Sequence, residues 1–191
     1  MTDDDGKYPF AGYKDILGQI FAEIMAAGPS CRVLDIGIGT ATLASKLHQA
    51  GYEVVGIDFS EEMLKIAANK MPGARLIQHD FADGMPGELV GQKFDFVILT
   101  YALHHLEDSA KVDFIKQTLA HLTDDGVIII GDIAFETAAA QDKCREDCGE
   151  DSWDDEEFYM VWESFAKSLQ GICRAEYRQI SHCGGILAIR S

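Results

Sequence analysis

Val33-Leu-Asp-Ile-Gly-Ile-Gly-Thr-Ala-Thr42 is an apolar strand that runs into a glycine turn and then toward a helix. Gly37 and Gly39 let the backbone turn tightly and approach a ligand closely, and a helix opening near Ala41 would aim its unpaired N–H groups at that ligand. Glycine turns after strands serve several cofactors, so the neighbouring residues have to decide which one is held.

Before the turn, Ile16, Leu17, Ile20, Phe21 and Ile24 recur at helical spacing between Tyr13 and Met25, which gives an amphipathic helix. The first strand spans Arg32 to Ile36, and Ala41 to Ala50 reads as a helix closed by Gly51. Tyr52 to Asp58 is a second buried strand ending in a carboxylate, and Ser60 is the expected N-cap of the helix that Met71-Pro72-Gly73 ends. Arg75 to Gln78, Phe94 to Thr100, and Val127 to Gly131 followed by Asp132 read as the third, fourth and fifth strands. The periodicity breaks between Thr137 and Trp153, a polar, acidic insertion. Val161, Trp162, Phe165 and Leu169 restore a helix, for which Ser152 or Asp154 is the expected N-cap. Two last strands, about Cys173 to Ile180 and Ile186 to Ile189, have so short a link that they form an antiparallel hairpin. This alternation predicts an α/β fold: a doubly wound, mostly parallel, seven-stranded Rossmann-like sheet with a C-terminal antiparallel hairpin and ligands at the carboxyl ends of its strands.

The length suits one domain over 1–191, with an N-terminal cap and helix over 1–30 and an insertion over 133–153. A formal net charge of −16 disfavours a nucleic-acid partner, because phosphate binding is driven by lysine and arginine. Part of that charge is local, in the run Glu146, Asp147, Glu150, Asp151, Asp154, Asp155, Glu156 and Glu157. Met1-Thr-Asp-Asp-Asp-Gly-Lys7 reads as neither a signal nor a transit peptide, and no apolar run is long enough to span a bilayer. Five cysteines without a Cys-x-x-Cys pair fit reduced thiols in a cytoplasmic protein. Cys144 and Cys148 stand one helical turn apart and with His182 and Cys183 are metal ligands in principle. Loose thiols and no metal are the expected state.

A dinucleotide fingerprint would place a third glycine or alanine at position 42, where this chain has Thr42, and no Gly-Lys-Ser/Thr follows to make a phosphate-binding loop. Asp35, two residues before Gly37, puts negative charge where a cationic ligand would suit it.

Val33 to Ala41, Val55-Gly-Ile-Asp58-Phe-Ser60, His79-Asp80-Phe81 and Thr100-Tyr-Ala-Leu-His-His105 resemble, in order, the successive motifs of class I S-adenosylmethionine-dependent methyltransferases, over about Tyr13 to Asp132. Within that superfamily the chain is most similar to small bacterial-type members that share Phe-Ala-Gly-Tyr near the start and Thr-Tyr-Ala-x-His-His-Leu after strand four. The resemblance implies S-adenosylmethionine as cofactor, with backbone at Gly37 and Gly39 facing its methionine part and Asp58 accepting both ribose hydroxyls. It implies Asp80 for the adenine amino group, Phe59 and Phe81 bordering the ring unless they fill the core, and Thr100 and Tyr101 flanking the methionine amino group. Asp35 supports the sulfonium or amino end, or stabilises the turn. Ala41 departs from the pattern, in which a third glycine is often found.

Methyl transfer is an in-line displacement, so the protein has to align donor and acceptor and exclude water. His104 and His105 are the candidate catalytic bases for an acceptor that carries a proton, and at most one of two adjacent residues is expected to face the site. Asp132 either orients the acceptor or caps the next turn. Tyr13 and Tyr101 are expected at the substrate, under a lid formed by the aromatic run Tyr8 to Tyr13 and by Phe135 to Trp153. Thr100-Tyr-Ala-Leu replaces the Asn/Asp-Pro-Pro-Tyr pattern of amide- and base-nitrogen enzymes, and there is no Pro-Cys pair for cytosine carbon. A small-molecule acceptor is the resulting expectation. A cofactor-binding sensor without turnover and a dehydrogenase stay open as alternatives, and the sequence carries no statement about oligomeric state.

Overall fold

The computed structural model describes residues 6–149 and 151–191. Residues 1–5 of the N-terminal reading and Glu150 of the acidic run lie outside the described residues. Helix α1 (Tyr13–Ala27) buries Ile16, Leu17, Ile20 and Ile24, as the spacing predicts, and each such side chain contributes about 1.5–3 kcal/mol. Strand β1 (Arg32–Ile36) keeps its predicted bounds, as do β3 (Arg75–Gln78) and β4 (Phe94–Thr100). Between them lie α2 (Ala44–Gln49), β2 (Glu53–Asp58) and α3 (Glu61–Lys70). Ser60 caps α3, its Oγ accepting from Met63 N at 3.3 Å.

The second half continues with α4 (Asp108–Leu119), β5 (Leu122–Phe135), α5 (Ala138–Cys148), β6 (Met160–Val161), α6 (Trp162–Ser168), β7 (Arg174–Gln179) and β8 (Gly184–Arg190). The sheet runs β3-β2-β1-β4-β5-β8-β7. Its first five strands are parallel, and β8 pairs antiparallel with both β5 and β7. An eighth strand, the two-residue β6, pairs parallel with β5 through Ala134 and Met160 and is too short to leave a period in the sequence.

Alternate residues of the central strands feed opposite faces, so Val33, Phe96, Ile98 and Ile129 pack with α1, while Leu34, Ile36, Val97 and Ile130 pack with Phe114 and Ile115 of α4. By the same alternation Asp35 shares the α1 face with Val33. Gly131 of β5 lies against α1, where an added Cβ would stand 2.4 Å from Ile16 Cγ2 and 2.8 Å from Ile20 Cδ1. A third, smaller cluster past the end of β5 joins Ala11, Ile133, Phe135, Cys144, Tyr159 and Cys183, with Tyr8 and Trp153 against it. This cluster holds the N-terminal segment and the insertion against the carboxyl ends of the strands. Among the described residues no helix is long and apolar enough to cross a membrane.

Four local expectations change. Strand β5 runs over Leu122–Phe135, beyond the expected Val127 to Gly131, so Asp132 and the first three residues of the expected insertion lie within the sheet. The helix after the glycine turn opens at Ala44 and not at Ala41, because Ala41 takes φ +57° and breaks the helical path. The insertion contains a helix, α5, which buries only Cys144 and so shows no apolar period. Its Thr137 N-cap and Ala138-Ala-Ala140 supply local helix preference instead. Helix α6 starts at Trp162 with no side-chain cap, while Asp154 Oδ1 accepts from Glu156 N at 2.9 Å, too far along the chain to cap it.

The packing of α1 on β5 yields a direct expectation. Gly131→Ala should destabilise the fold by about 1–3 kcal/mol, because the methyl has no room against Ile16 and Ile20. The midpoint of urea unfolding measures it, and a midpoint equal to wild type would contradict this packing.

Candidate active site

The site is built on the turns that leave β1, β2, β4 and β5. At the first, Gly37 and Gly39 take φ +71° and +52°, and Gly37 N and Ile38 N both donate to Ile57 O at 2.9 Å, which ties the turn to β2. A Cβ on Gly37 would lie 2.7 Å from Ala102 Cβ, so the turn also needs glycine for its closeness to the loop after β4. Ala41 adopts the left-handed conformation at the place where the resembling family often has glycine, a strain of order 1–2 kcal/mol.

Asp58, 6% exposed, ends β2 and braces this turn: Oδ2 accepts from Gly39 N at 2.7 Å and Oδ1 from Ser60 N at 2.9 Å. A carboxylate has about four acceptor positions, so each oxygen keeps one for a ligand donor. Phe59 beside it is 67% exposed, whereas Phe81 is buried and packs edge-on to Phe114 with ring centres 5.5 Å apart. The two phenylalanines therefore divide: Phe59 offers an open ring face and Phe81 belongs to the core, with one edge 4.0 Å from the Cβ position of Gly37. Asp80 is exposed and caps a short 3-10 turn, its Oδ1 accepting from Ala82 N at 2.9 Å.

Asp35 is 2% exposed, and its Oδ1 has no hydrogen-bond partner. Burial, with the Asp58 charge added to it, pushes its carboxyl well above the ordinary carboxylate range. Along the outer side of the turn runs a cleft of 820 Å³ between α1, α2 and α3, lined in part by Tyr13, Thr40, Thr42, Lys46 and Lys70, and it does not reach Asp58, Asp80 or Thr100.

Beyond the glycine turn, Thr100 finishes β4 half-buried and Tyr101 follows with φ +53°. The Tyr101 ring packs on Tyr13 at 5.0 Å and on Phe10 at 5.7 Å, so the N-terminal aromatics do fold over this loop. Asp132, 3% exposed, accepts from Leu103 N (2.8 Å) and His104 N (3.1 Å) at Oδ2, and at Oδ1 from Ile133 N (2.8 Å), with His104 Nδ1 at 2.5 Å. Its acceptor positions are filled by the chain, which matches the turn-capping alternative for this residue and leaves little capacity for orienting a substrate.

The histidine pair divides as well. His104 is 6% exposed, with Nδ1 on Asp132 and Nε2 3.4 Å from Glu157 Oε1. Burial lowers its pKa, but the charge and hydrogen bond of Asp132, with help from Glu157, outweigh that and raise it. His105 has a 58% exposed side chain and a lowered pKa, from burial and from the neighbouring His104 charge. His105 is thus the one with an exposed ring whose neutral form is favoured, while the His104 ring is engaged by Asp132 and Glu157. Glu157, 3.9 Å from His105 Nδ1, was hidden in the acidic run, where nothing in the sequence separates it from solvated neighbours. Phe158 N donates to His104 O at 2.8 Å, and fully buried Lys111 reaches Phe158 O and Asp108 Oδ1, which docks this segment on the loop. Tyr8 stacks on Trp153 (5.0 Å), and its hydroxyl meets that of Tyr159 at 2.5 Å.

Residues 33–126 match the model of a methyltransferase domain. An uncharacterized methyltransferase of Staphylococcus carnosus is 33% identical over 154 residues, covering 81% of this chain and 67% of the relative. One from Oceanobacillus iheyensis is 34% identical over 143 residues, covering 74% of this chain. The chain spans 63% of the length of that relative, less than two thirds. Among solved structures, a magnesium protoporphyrin IX methyltransferase from Synechocystis with bound SAH superposes with TM-score 0.71 at 23% identity, covering 94% of this chain and 84% of that one. The PH0226 protein of Pyrococcus horikoshii does so with TM-score 0.73 at 18% identity, covering 99% and 93%. These two likenesses show a shared fold.

Because the folded-state pKa of His104 lies above its ordinary 6.5, its stabilising contribution is complete below pH 6.5 and is lost as pH rises through the raised value. Asp132→Asn should lower the His104 pKa, since burial and the Lys111 charge are then opposed by Glu157 without Asp132, and cost about 3–5 kcal/mol as a broken buried pair. Imidazole NMR titration and urea midpoints across pH 5–8 measure both, and an unchanged titration would refute the pairing.

Proposed function

We propose, from the premise that this chain belongs to the class I S-adenosylmethionine-dependent methyltransferases, that it transfers the methyl group of S-adenosylmethionine to a small-molecule acceptor. The observation that carries the reading is the unpartnered Oδ1 of buried Asp35 beside the glycine turn. An uncompensated buried carboxylate is costly in the empty fold, and a cationic ligand is what would offset it. The rest of the donor set fits the same cofactor: Asp58 keeps acceptor capacity for two hydroxyls, Gly37 and Gly39 let the backbone approach, Asp80 is exposed to accept from an amino group, and Phe59 offers a free ring face. The bound cofactor supplies a methyl on a positively charged sulfur, open to attack by an acceptor lone pair.

The chain's own part is alignment, exclusion of water and one proton. Thr100 and Tyr101 border the methionine end on this reading, and Tyr13 packs on Tyr101 to close the site from the N-terminal side. The segment that follows β5, with Tyr8 to Tyr13, serves as its cover. His105, with its lowered pKa and Glu157 near Nδ1, is the group placed to take a proton from the acceptor near neutral pH. All five cysteines are free thiols, which supports a cytoplasmic setting.

Calorimetry with S-adenosylmethionine should show binding by wild type and at least a tenfold loss, about 1.4 kcal/mol, in Asp58→Ala. No binding by wild type, or equal binding by the variant, would refute the site. Release of S-adenosylhomocysteine over a panel of small acceptors tests turnover, and binding without release from any acceptor would favour a sensor. Asp35→Asn should weaken cofactor binding while stabilising the empty protein. The Asp35 penalty is absent below the ordinary carboxyl pKa of 3.8 and grows as pH rises toward the raised folded value, so the gain should appear in urea midpoints at pH 7 and vanish near pH 3.

A further inference from the structure

Two groups of metal-ligating atoms occur among the described residues, and they differ in how far those atoms are already engaged. His104, His105 and Glu157 form one, but His104 Nδ1 is held by Asp132 and the group belongs to the site above. The other joins Cys144 of α5 to His182 and Cys183 of the turn between β7 and β8. Their two sulfurs and a ring nitrogen all lie within 4.8 Å of one another. The cysteines are 4% and 0% exposed, and His182 is exposed. Cys144 and His182 both line a pocket of 190 Å³ that also holds Glu136, Lys143 and Asp147. Cys183 Sγ contacts Pro9 O at 3.7 Å, a weak thiol bond that a stronger ligand would displace.

We propose that Cys144, Cys183 and His182 bind one divalent zinc-type cation. Two thiolates and one neutral imidazole are the donor set of a borderline-soft, tetrahedral ion, unlike the oxygen donors that magnesium or calcium require. Metal–sulfur and metal–nitrogen bonds of about 2.3 and 2.0–2.1 Å set tetrahedral ligands roughly 3.5–3.8 Å apart, so the group needs to close by no more than about 1.3 Å. The fourth position faces the pocket, where Asp147 or a water completes the shell. Binding converts two thiols to thiolates and releases two protons to solvent, with no change of oxidation state. The ion would fasten α5 to the hairpin that also contacts Ala11 through Ser181 Oγ (2.5 Å), and so clamp both parts of the cover on the carboxyl end of the sheet.

The full chain under a non-chelating reductant, titrated with Zn²⁺ alone against a chromogenic chelator, should take up one equivalent. Affinity should fall at least a hundredfold in Cys144→Ser and at least tenfold in His182→Ala, and stay at the wild-type value in Cys31→Ser. His182 is exposed, so His182→Ala keeps the test decisive even where a buried cysteine variant does not fold. Substituted Co²⁺ should show a thiolate charge-transfer band that Cys144→Ser or Cys183→Ser removes. No stoichiometric uptake, wild-type affinity in His182→Ala, or sulfurs that only pair with each other as a disulfide would overturn the proposal. None of these results bears on S-adenosylmethionine binding, which is read separately.

Discussion

The buried carboxylate of Asp132 fixes the shape of the loop after β4. It takes the backbone N–H groups of Leu103, His104 and Ile133 and the His104 ring at once, and so bends the chain after β4 back over the end of β5. Everything beyond depends on that bend. His104 is oriented by it, its carbonyl receives Phe158, and Phe158 in turn delivers Glu157 to the histidines. Lys111 holds the far side of the same segment from α4. The segment around Phe158 is thereby tied to the loop after β4 by a chain of polar contacts that starts from one oxygen pair, beside the apolar cluster of Phe135, Tyr159 and Trp153.

The three acidic residues that end or interrupt the central strands differ chiefly in how much of their acceptor capacity the protein uses. Asp132 is saturated, Asp58 is half used in bracing the glycine turn, and Asp35 leaves one oxygen with nothing. Sequence position makes them look alike, since each follows an apolar run at the carboxyl side of the sheet. Their capacity for a ligand follows from this difference in saturation: the first is spent on structure, the second keeps acceptor positions beside its structural bonds, and the third has a buried oxygen without a donor.

The sheet was legible because its strands are buried on both faces, and continuous apolar runs bounded by glycine, proline and aspartate mark such strands well. The bounds of β1, β3 and β4 came out as read. The glycine turn and the carboxylates of Asp35 and Asp58 were legible as neighbours because they lie within a few positions of the strand ends. What did not show was anything whose order comes from distant partners. Helix α5 buries a single cysteine, β6 is two residues long, and Glu157 gains its position only through Phe158 and the histidine loop. The left-handed backbone at Ala41 and Tyr101 is likewise set by the packing of the turns and not by residue type. The convergence of Cys144 with His182 and Cys183 needed the fold, since it joins an insertion helix to the final hairpin.

The unpartnered carboxylate also bears on product inhibition in the proposed reaction. On the proposed reading in which Asp35 faces the sulfonium and not the methionine amino group, it would attract the charged donor more strongly than the neutral thioether left once the methyl has gone. In a buried setting that loss of one charge restores the unfavourable state of the empty protein, so the side chain that helps admit the cofactor also loosens its hold on the remainder. The exchange of used for fresh cofactor is then favoured by a single residue, without any motion of the cover being required to discriminate between them.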